Sequence, residues 1–267
     1  MSGLRTGWAL PGADSRAIVD AAHLAERWNI DTLWLGDPQA RLANSDDSYV
    51  MVSAAAAAAV TSHVRIGVIL SGQASACALR IAEDIGVVDQ IAGGRLSVAF
   101  SPSVDPARTG DISRIAAAPR TWPLGDGRTM PVTPAPAQPT VPLLVLQPAS
   151  SGLIGRSWND PAGRPPVMAI PWAEGTAPPT PSRLAELRAM AGRSGADEVI
   201  LLTPAPAPPL VPLATVIGTV IAPALRAADH EMALLALDAT RWLQQSTNGV
   251  ASPTEILCLS RVSRSEA

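Results

Sequence analysis

Lysine is absent from the 267 residues, so all 20 basic side chains are arginines. That excludes a Schiff-base lysine and a P-loop lysine at once. Cysteine is confined to Cys77 and Cys258, which lie far apart without metal-like spacing. Two core thiols are therefore expected rather than a disulfide or a metal site. A formal charge of −3 leaves no basic stripe for nucleic acid. The alanine run Ala54–Ala59 falls far short of the roughly 20 apolar residues of a membrane span. Met1 to Ala13 lacks the basic and apolar regions of a secretory signal, so a cytoplasmic chain is expected. No HExxH, GxSxG, P-loop or CxxC string occurs.

What is present is a folding chain. Hydrophobic residues make up 47% and charged residues 16%, and the length suffices for one full barrel or a doubly wound sheet. Leu4 to Leu10 reads as a strand ended by Pro11-Gly12. A helix to about Trp28 follows, with Ile18, Ala21, Ala25 and Trp28 on one face. Thr32–Gly36 is a buried strand, 48–60 a helix, Val64–Leu70 a strand and 75–92 a helix. Gly93-Gly94 stops that helix, and Leu96, Val98 and Phe100 alternate as a fourth strand. Strands alternating with helices predict parallel pairing through right-handed crossovers.

From about Asp105 the regularity breaks. Eight prolines between 119 and 148 forbid helices and predict an extended connection, with 111–118 as its only candidate helix. Leu143–Gln147, Val167–Ile170 and Glu198–Leu202 read as further strands, with a helix over 181–193 and a helical region from 215. That makes seven strands. Glu255–Val262 is the one weak candidate for an eighth, so the chain reads as a complete barrel or one strand short.

Four strings together resemble the luciferase-like flavin monooxygenase family, which includes coenzyme F420-dependent members. They are Ala22–Asp37, Thr61–Gly67, Asp89–Arg95 with its Gly-Gly-Arg, and Gly195–Leu201, in the family's order. The resemblance implies a single-domain (β/α)8 TIM-type barrel over residues 1–267. Residues 104–142 form a truncated, proline-rich insertion after strand four, and 215–250 a C-terminal helical region. It also implies FMN or coenzyme F420 as cofactor, a small-molecule substrate and a homodimer paired through helices near the second and third strands. No role for nucleic acid, membrane or metal follows.

In such barrels chemistry sits at the C-terminal ends of the strands. That end would gather Pro11, Asp37, Ser71, Ser101 and the stretch Pro148–Gly152. Asp37 and Ser71 are the expected ring contacts, Ser101 a further cofactor contact, and Ser150, Ser151 and Gly152 the expected phosphate contacts. The phosphate assignment rests on small residues, hydroxyl donors and a helix N-terminus expected to follow. Trp8 and Trp34 are candidates to wall the pocket, with core packing the stronger expectation for Trp34.

Three departures from the family pattern favour a second reading. Pro38 stands where many members carry a polar group, Ser101-Pro102-Ser103 replaces a Gly-x-Gly turn, and the insertion is reduced. The histidines offer no catalyst either. His23 lies on a helix face and His63 precedes a strand, while Asp229, His230 and Glu231 diverge as helical neighbours. No catalytic residue can be named. The alternatives are a flavin- or F420-dependent oxidoreductase, which draws its chemistry from the cofactor, or a catalytically degenerate flavin-binding or structural partner barrel.

Overall fold

The structure is a computed structural model that describes residues 3–10, 15–36, 47–71, 78–102, 104–105, 107, 109–112, 121–123, 129–131, 143–149, 152–157, 166–172, 176–203 and 209–227. The first hundred residues follow the sequence expectation. They form β1 (Arg5–Leu10), α1 (Ser15–Arg27), β2 (Thr32–Leu35), α2 (Asp47–Ala59), β3 (Arg65–Leu70), α3 (Ala78–Ala92) and β4 (Leu96–Phe100). The four strands pair in parallel.

Helix ends are set by local chemistry. Asn29 takes a left-handed φ of 52° after α1, and Ile30 donates back to the Ala25 carbonyl at 3.0 Å. Gly93 and Gly94 have φ of 62° and 80°, and the Gly94 N–H reaches the Asp89 carbonyl at 3.1 Å. The double glycine thus turns the chain from α3 into β4 as expected.

The second part departs from simple alternation. After a small antiparallel pair, β5 (Thr121–Pro123) and β6 (Thr129–Pro131), come β7 (Leu143–Ala149), β8 (Gly152–Ser157) and β9 (Val167–Pro171). The chain then forms α4 (Pro181–Ser194) and β10 (Glu198–Leu202). Last come α5 (Leu210–Val216), a π-helical turn (Ile217–Ile221) and α6 (Ala222–Arg226). Pro223 has no N–H to continue the α ladder, and Ala222 instead donates to the Ile217 carbonyl five residues back.

Eight strands close the barrel in the order β1-β10-β9-β8-β7-β4-β3-β2. The eighth strand is therefore Gly152–Ser157, where the sequence reading expected a helix to begin after Gly152. The earlier candidate, Glu255–Val262, lies outside the described residues. β8 is antiparallel to both β7 and β9, whereas β4–β7, β9–β10 and β10–β1 are parallel. The expected β/α alternation gives way here to a hairpin. Of the insertion's one candidate helix, 111–118, residues 111 and 112 end a helical turn that begins at 109, and 113–118 lie outside the described residues.

Strand alternation divides the core in two. Trp8, Leu10, Leu33, Leu35, Val98 and Phe100 face outward and pack against the helices. Ala9, Trp34, Ile69, Ala99, Leu146 and Leu202 belong to a separate cluster inside the barrel.

Candidate functional site

The two ends of the barrel differ in kind. At the N-terminal end, charged side chains fasten strands to helices. The Glu26 carboxylate accepts the backbone N–H groups of Ser62, His63 and Val64 at 2.8, 2.9 and 2.9 Å. Burial works to raise its carboxyl, but these three bonds outweigh it and hold it below the usual glutamate range. The Arg95 guanidinium donates to the carbonyls of Ala58, Thr61 and Val64 and to the Thr61 hydroxyl. It thereby ties the last turn of α2 to the start of β3. Asp31 accepts the Thr6 N–H and pairs with Arg226, both at 2.8 and 2.7 Å respectively.

Glu198 extends this base into the barrel interior. It is 3% exposed and accepts the Trp34 indole N–H at 2.8 Å. Arg5 lies 3.7 Å from Glu198 and 2.8 Å from Asp197. Burial pushes the Glu198 carboxyl up, against the pull of Arg5 and the indole bond. Gly7 and Gly67 make room for the ring: a Cβ on Gly67 would stand 2.2 Å from Trp34 Cδ2, and one on Gly7 2.9 Å from Trp34 Nε1. Trp34 is thus a core plug, as expected, and Trp8 faces the helices instead of walling a pocket.

The C-terminal end is the mouth, and it is chemically quiet. The inner cluster opens toward it through Leu153 and Leu202, its most exposed members at 8% and 9%. Ser71 and Ser101, both 3% exposed, follow β3 and β4, and the Ser101 N–H donates to the Leu70 carbonyl at 2.9 Å. The structure therefore brings these two expected contacts side by side. Thr203, not foreseen, closes β10 against β1 by donating its hydroxyl to the Ala9 carbonyl at 2.6 Å. Trp172, also missed, is buried after β9, and its backbone N–H donates to the Leu202 carbonyl at 2.8 Å. Neither stands out in the sequence, because each acts through pairing with a neighbouring strand.

Asp37, Ser150 and Ser151 lie outside the described residues. Gly36, just before Asp37, has a φ of 102°, and a Cβ there would stand 2.3 Å from the Ile69 carbonyl oxygen. Gly152 opens β8, where a Cβ would stand 2.2 Å from the Ala169 carbonyl oxygen. Close strand packing therefore accounts for this glycine. The helix expected to follow it, with its dipole for phosphate, is replaced by a strand. None of the described residues that end the strands at this mouth carries a carboxylate, imidazole or thiol. Among the described residues, no cluster of His, Cys, Asp or Glu could hold a metal ion. Nor is any described helix long and apolar enough to cross a membrane.

A family profile described as luciferase-like monooxygenase matches residues 3–122, which cover β1 to β4 and everything between. Over residues 3–122 the chain is similar to the luciferase-like monooxygenase family. Beyond them the likeness is one of fold. The solved structure of apo-MsnO8 superposes with a TM-score of 0.54 at 14% identity, covering 80% of this chain and 98% of that one. The F420-dependent tetrahydromethanopterin reductase from Methanopyrus kandleri matches at 22% identity and a TM-score of 0.32. That match covers 42% of this chain and 30% of the reductase. The oxygenating constituent of 3,6-diketocamphane monooxygenase from Pseudomonas putida, solved with FMN, matches at 15% identity and a TM-score of 0.34. It covers 89% of this chain and 63% of that one. No curated protein matches the chain in sequence.

The four strings behind the family resemblance now have a physical explanation. Glu26, Asp31, Thr61, Arg95, Asp197 and Glu198 all belong to them, and all act at the N-terminal end or in the plug. In the same strings Asp89, whose carboxyl burial pushes up against a bond from the Leu96 N–H, braces the α3–β4 junction. These residues specify the barrel. They are separate from the mouth.

Proposed function

We propose that this protein is an oxidoreductase that uses a reduced flavin, either FMN or coenzyme F420, at the C-terminal mouth of its barrel. The observation that carries this reading is the mouth itself: an apolar floor under a rim of buried hydroxyls, on a luciferase-like barrel. A flat heteroaromatic ring suits such a floor, with Ser71 and Ser101 as donors at its edge and Asp37 near the end of β2. Ser150, Ser151 and Gly152 would offer hydroxyl and backbone donors to a phosphate, without help from a helix dipole. When bound, the reduced cofactor supplies the hydride or activates dioxygen, which is why a rim poor in acid and base groups is no obstacle. The chain's own part is to orient the ring and keep water from its buried face. The reading also takes a small organic substrate and a cytoplasmic setting.

A second reading is favoured by one specific observation. Where a β/α unit would place a helix outside the barrel, the chain returns directly through β8. Together with Pro102 at the rim, this fits a barrel that binds a flavin or serves as a partner without turnover. Fluorescence titration with FMN and, separately, with F420 tests both. Saturable micromolar binding of either supports cofactor use, and turnover with a donor–acceptor pair then selects the enzyme. Failure to bind either cofactor refutes the oxidoreductase.

A further inference from the structure

We propose that residues 229–245 of this chain form a helix that lies antiparallel along the outward stripe of α5, the π-helical turn and α6. The proposal is independent of the cofactor reading. From Leu210 to Leu225 no residue is charged. The inward side of this helical run, Leu213, Val216, Ile217, Val220, Ile221 and Leu225, is buried in the main core. Its outward stripe is Val211, Pro212, Thr215, Thr219 and Pro223, none of them buried, with Val211 60% exposed. The two threonines do not make this stripe polar. Their hydroxyls donate back along the helix to the carbonyls of Val211 and Thr215 at 2.8 and 2.7 Å, which leaves the methyl groups to the surface. A helix that faces water carries a polar outer side, and α1 does so with Arg16, Asp20, His23 and Arg27, all exposed. An uncharged outer stripe of small side chains belongs instead to a helix that another element covers.

The chain itself supplies the cover. Ala227 leaves α6 in an extended conformation, with φ −67° and ψ 153°, and residues 228–267 follow. Asp229 and Glu231 suit a helix start, as cap and first-turn charge. Met232, Leu235, Ala239, Trp242 and Leu243 then recur on one helical face, with His230, Asp238, Arg241 and Gln245 opposite. Asn248-Gly249 provides a stop. A helix over 229–245 would span about 25 Å, the same as the run from Leu210 to Arg226. The connection Ala227-Ala228 is short, and short connections make consecutive helices antiparallel neighbours. The large side chains of Met232, Leu235 and Trp242 would thus meet the small, uncharged stripe. A second copy of the chain would have to displace a segment tethered beside the stripe, whose effective concentration is roughly millimolar.

Hydrogen–deuterium exchange of the full chain, read by mass spectrometry, tests this. Backbone amides of 232–243 should exchange roughly tenfold or more slowly than those of an unstructured peptide of the same sequence. Thr215→Arg places a charge in the middle of the stripe, and Trp242→Gln removes the largest side chain opposite it. Each should return exchange over 232–243 to the unstructured rate, while β1 and β10 keep their wild-type protection and report an intact barrel. Arg241→Ala, on the far face of the segment, should leave the protection in place. Unstructured exchange over 232–243 in the wild type, or protection that survives either Thr215→Arg or Trp242→Gln, overturns the proposal. So does protection that disappears on dilution, which would mark a second copy as the occupant.

Discussion

Replacing Trp34 by phenylalanine isolates the bond that closes the barrel interior. The indole N–H is lost, and the Glu198 carboxyl, 3% exposed, loses a donor at 2.8 Å. An unsatisfied buried polar group costs about 1–3 kcal/mol. The smaller ring also leaves a void beside Gly67 and Gly7, for which a further ~1 kcal/mol is reasonable because glycines have no side chain to fill it. The expected destabilisation is thus about 2–4 kcal/mol, measured by urea unfolding followed by circular dichroism. Glu198→Gln keeps an acceptor for the indole and should cost about 1 kcal/mol or less. The pair can also be told apart by pH. Burial holds the Glu198 carboxyl above its ordinary value of 4.5, so the folded state binds the proton more tightly than the unfolded chain does. Its stabilising contribution is complete below the unfolded value and is lost as pH rises through the higher folded value. Wild-type stability should therefore decline across that window relative to Glu198→Gln. Equal pH slopes in the two proteins, or a loss below about 0.5 kcal/mol in Trp34→Phe, within the range of ordinary surface changes, would refute the reasoning.

Arg95→Ala should destabilise the fold by about 2–4 kcal/mol, because several half-buried carbonyls lose a charged donor together. Arg95→Lys should recover only part of this in the same unfolding assay, since an ammonium cannot span the fork. Glu26 has the opposite pH sign: its depressed carboxyl stabilises above the unfolded glutamate value, and the contribution is lost as pH falls through the folded one. Acid unfolding of Glu26→Gln should accordingly show a shallower dependence below the usual carboxylate range than wild type, and an unchanged acid transition would contradict that assignment.

Much of the first half was legible because each element carries its own period and its own stop. β1 to β4 are bounded by proline, glycine or a left-handed residue, and the helices between them show a buried stripe. β8 was not legible, for a reason its inward side chains make plain. Leu153, Gly155 and Ser157 face the interior, but only the first is apolar and large enough to give an alternating signal. Gly155 has to be small, since a Cβ there would stand 2.7 Å from Val167 Cγ2 and 3.0 Å from Leu146 Cδ2. The turn before it is Ser150-Ser151, which lacks the Asn-Gly or Asp-Gly signature of a hairpin. Trp8 was misplaced by its size. Its neighbours Gly7 and Ala9 are the inward ones, because Trp34 already occupies the space they leave. At the mouth, Ser71 and Ser101 were legible as strand ends, whereas Thr203 and Trp172 show nothing distinctive until β9 and β10 are paired with their neighbours.

The polar fasteners at the base of the barrel have a consequence for what can be altered at its other end. β3 runs six residues from Arg65 to Leu70, roughly 20 Å of extended chain between base and rim. Substitutions at Ser71 or Ser101 therefore fall far from Glu26 and Arg95 at the base, and at such separation stability effects add instead of compounding. The rim can be rebuilt residue by residue on a scaffold whose folding instructions are written elsewhere, which makes this barrel a starting point for grafting new ligand preferences by laboratory selection.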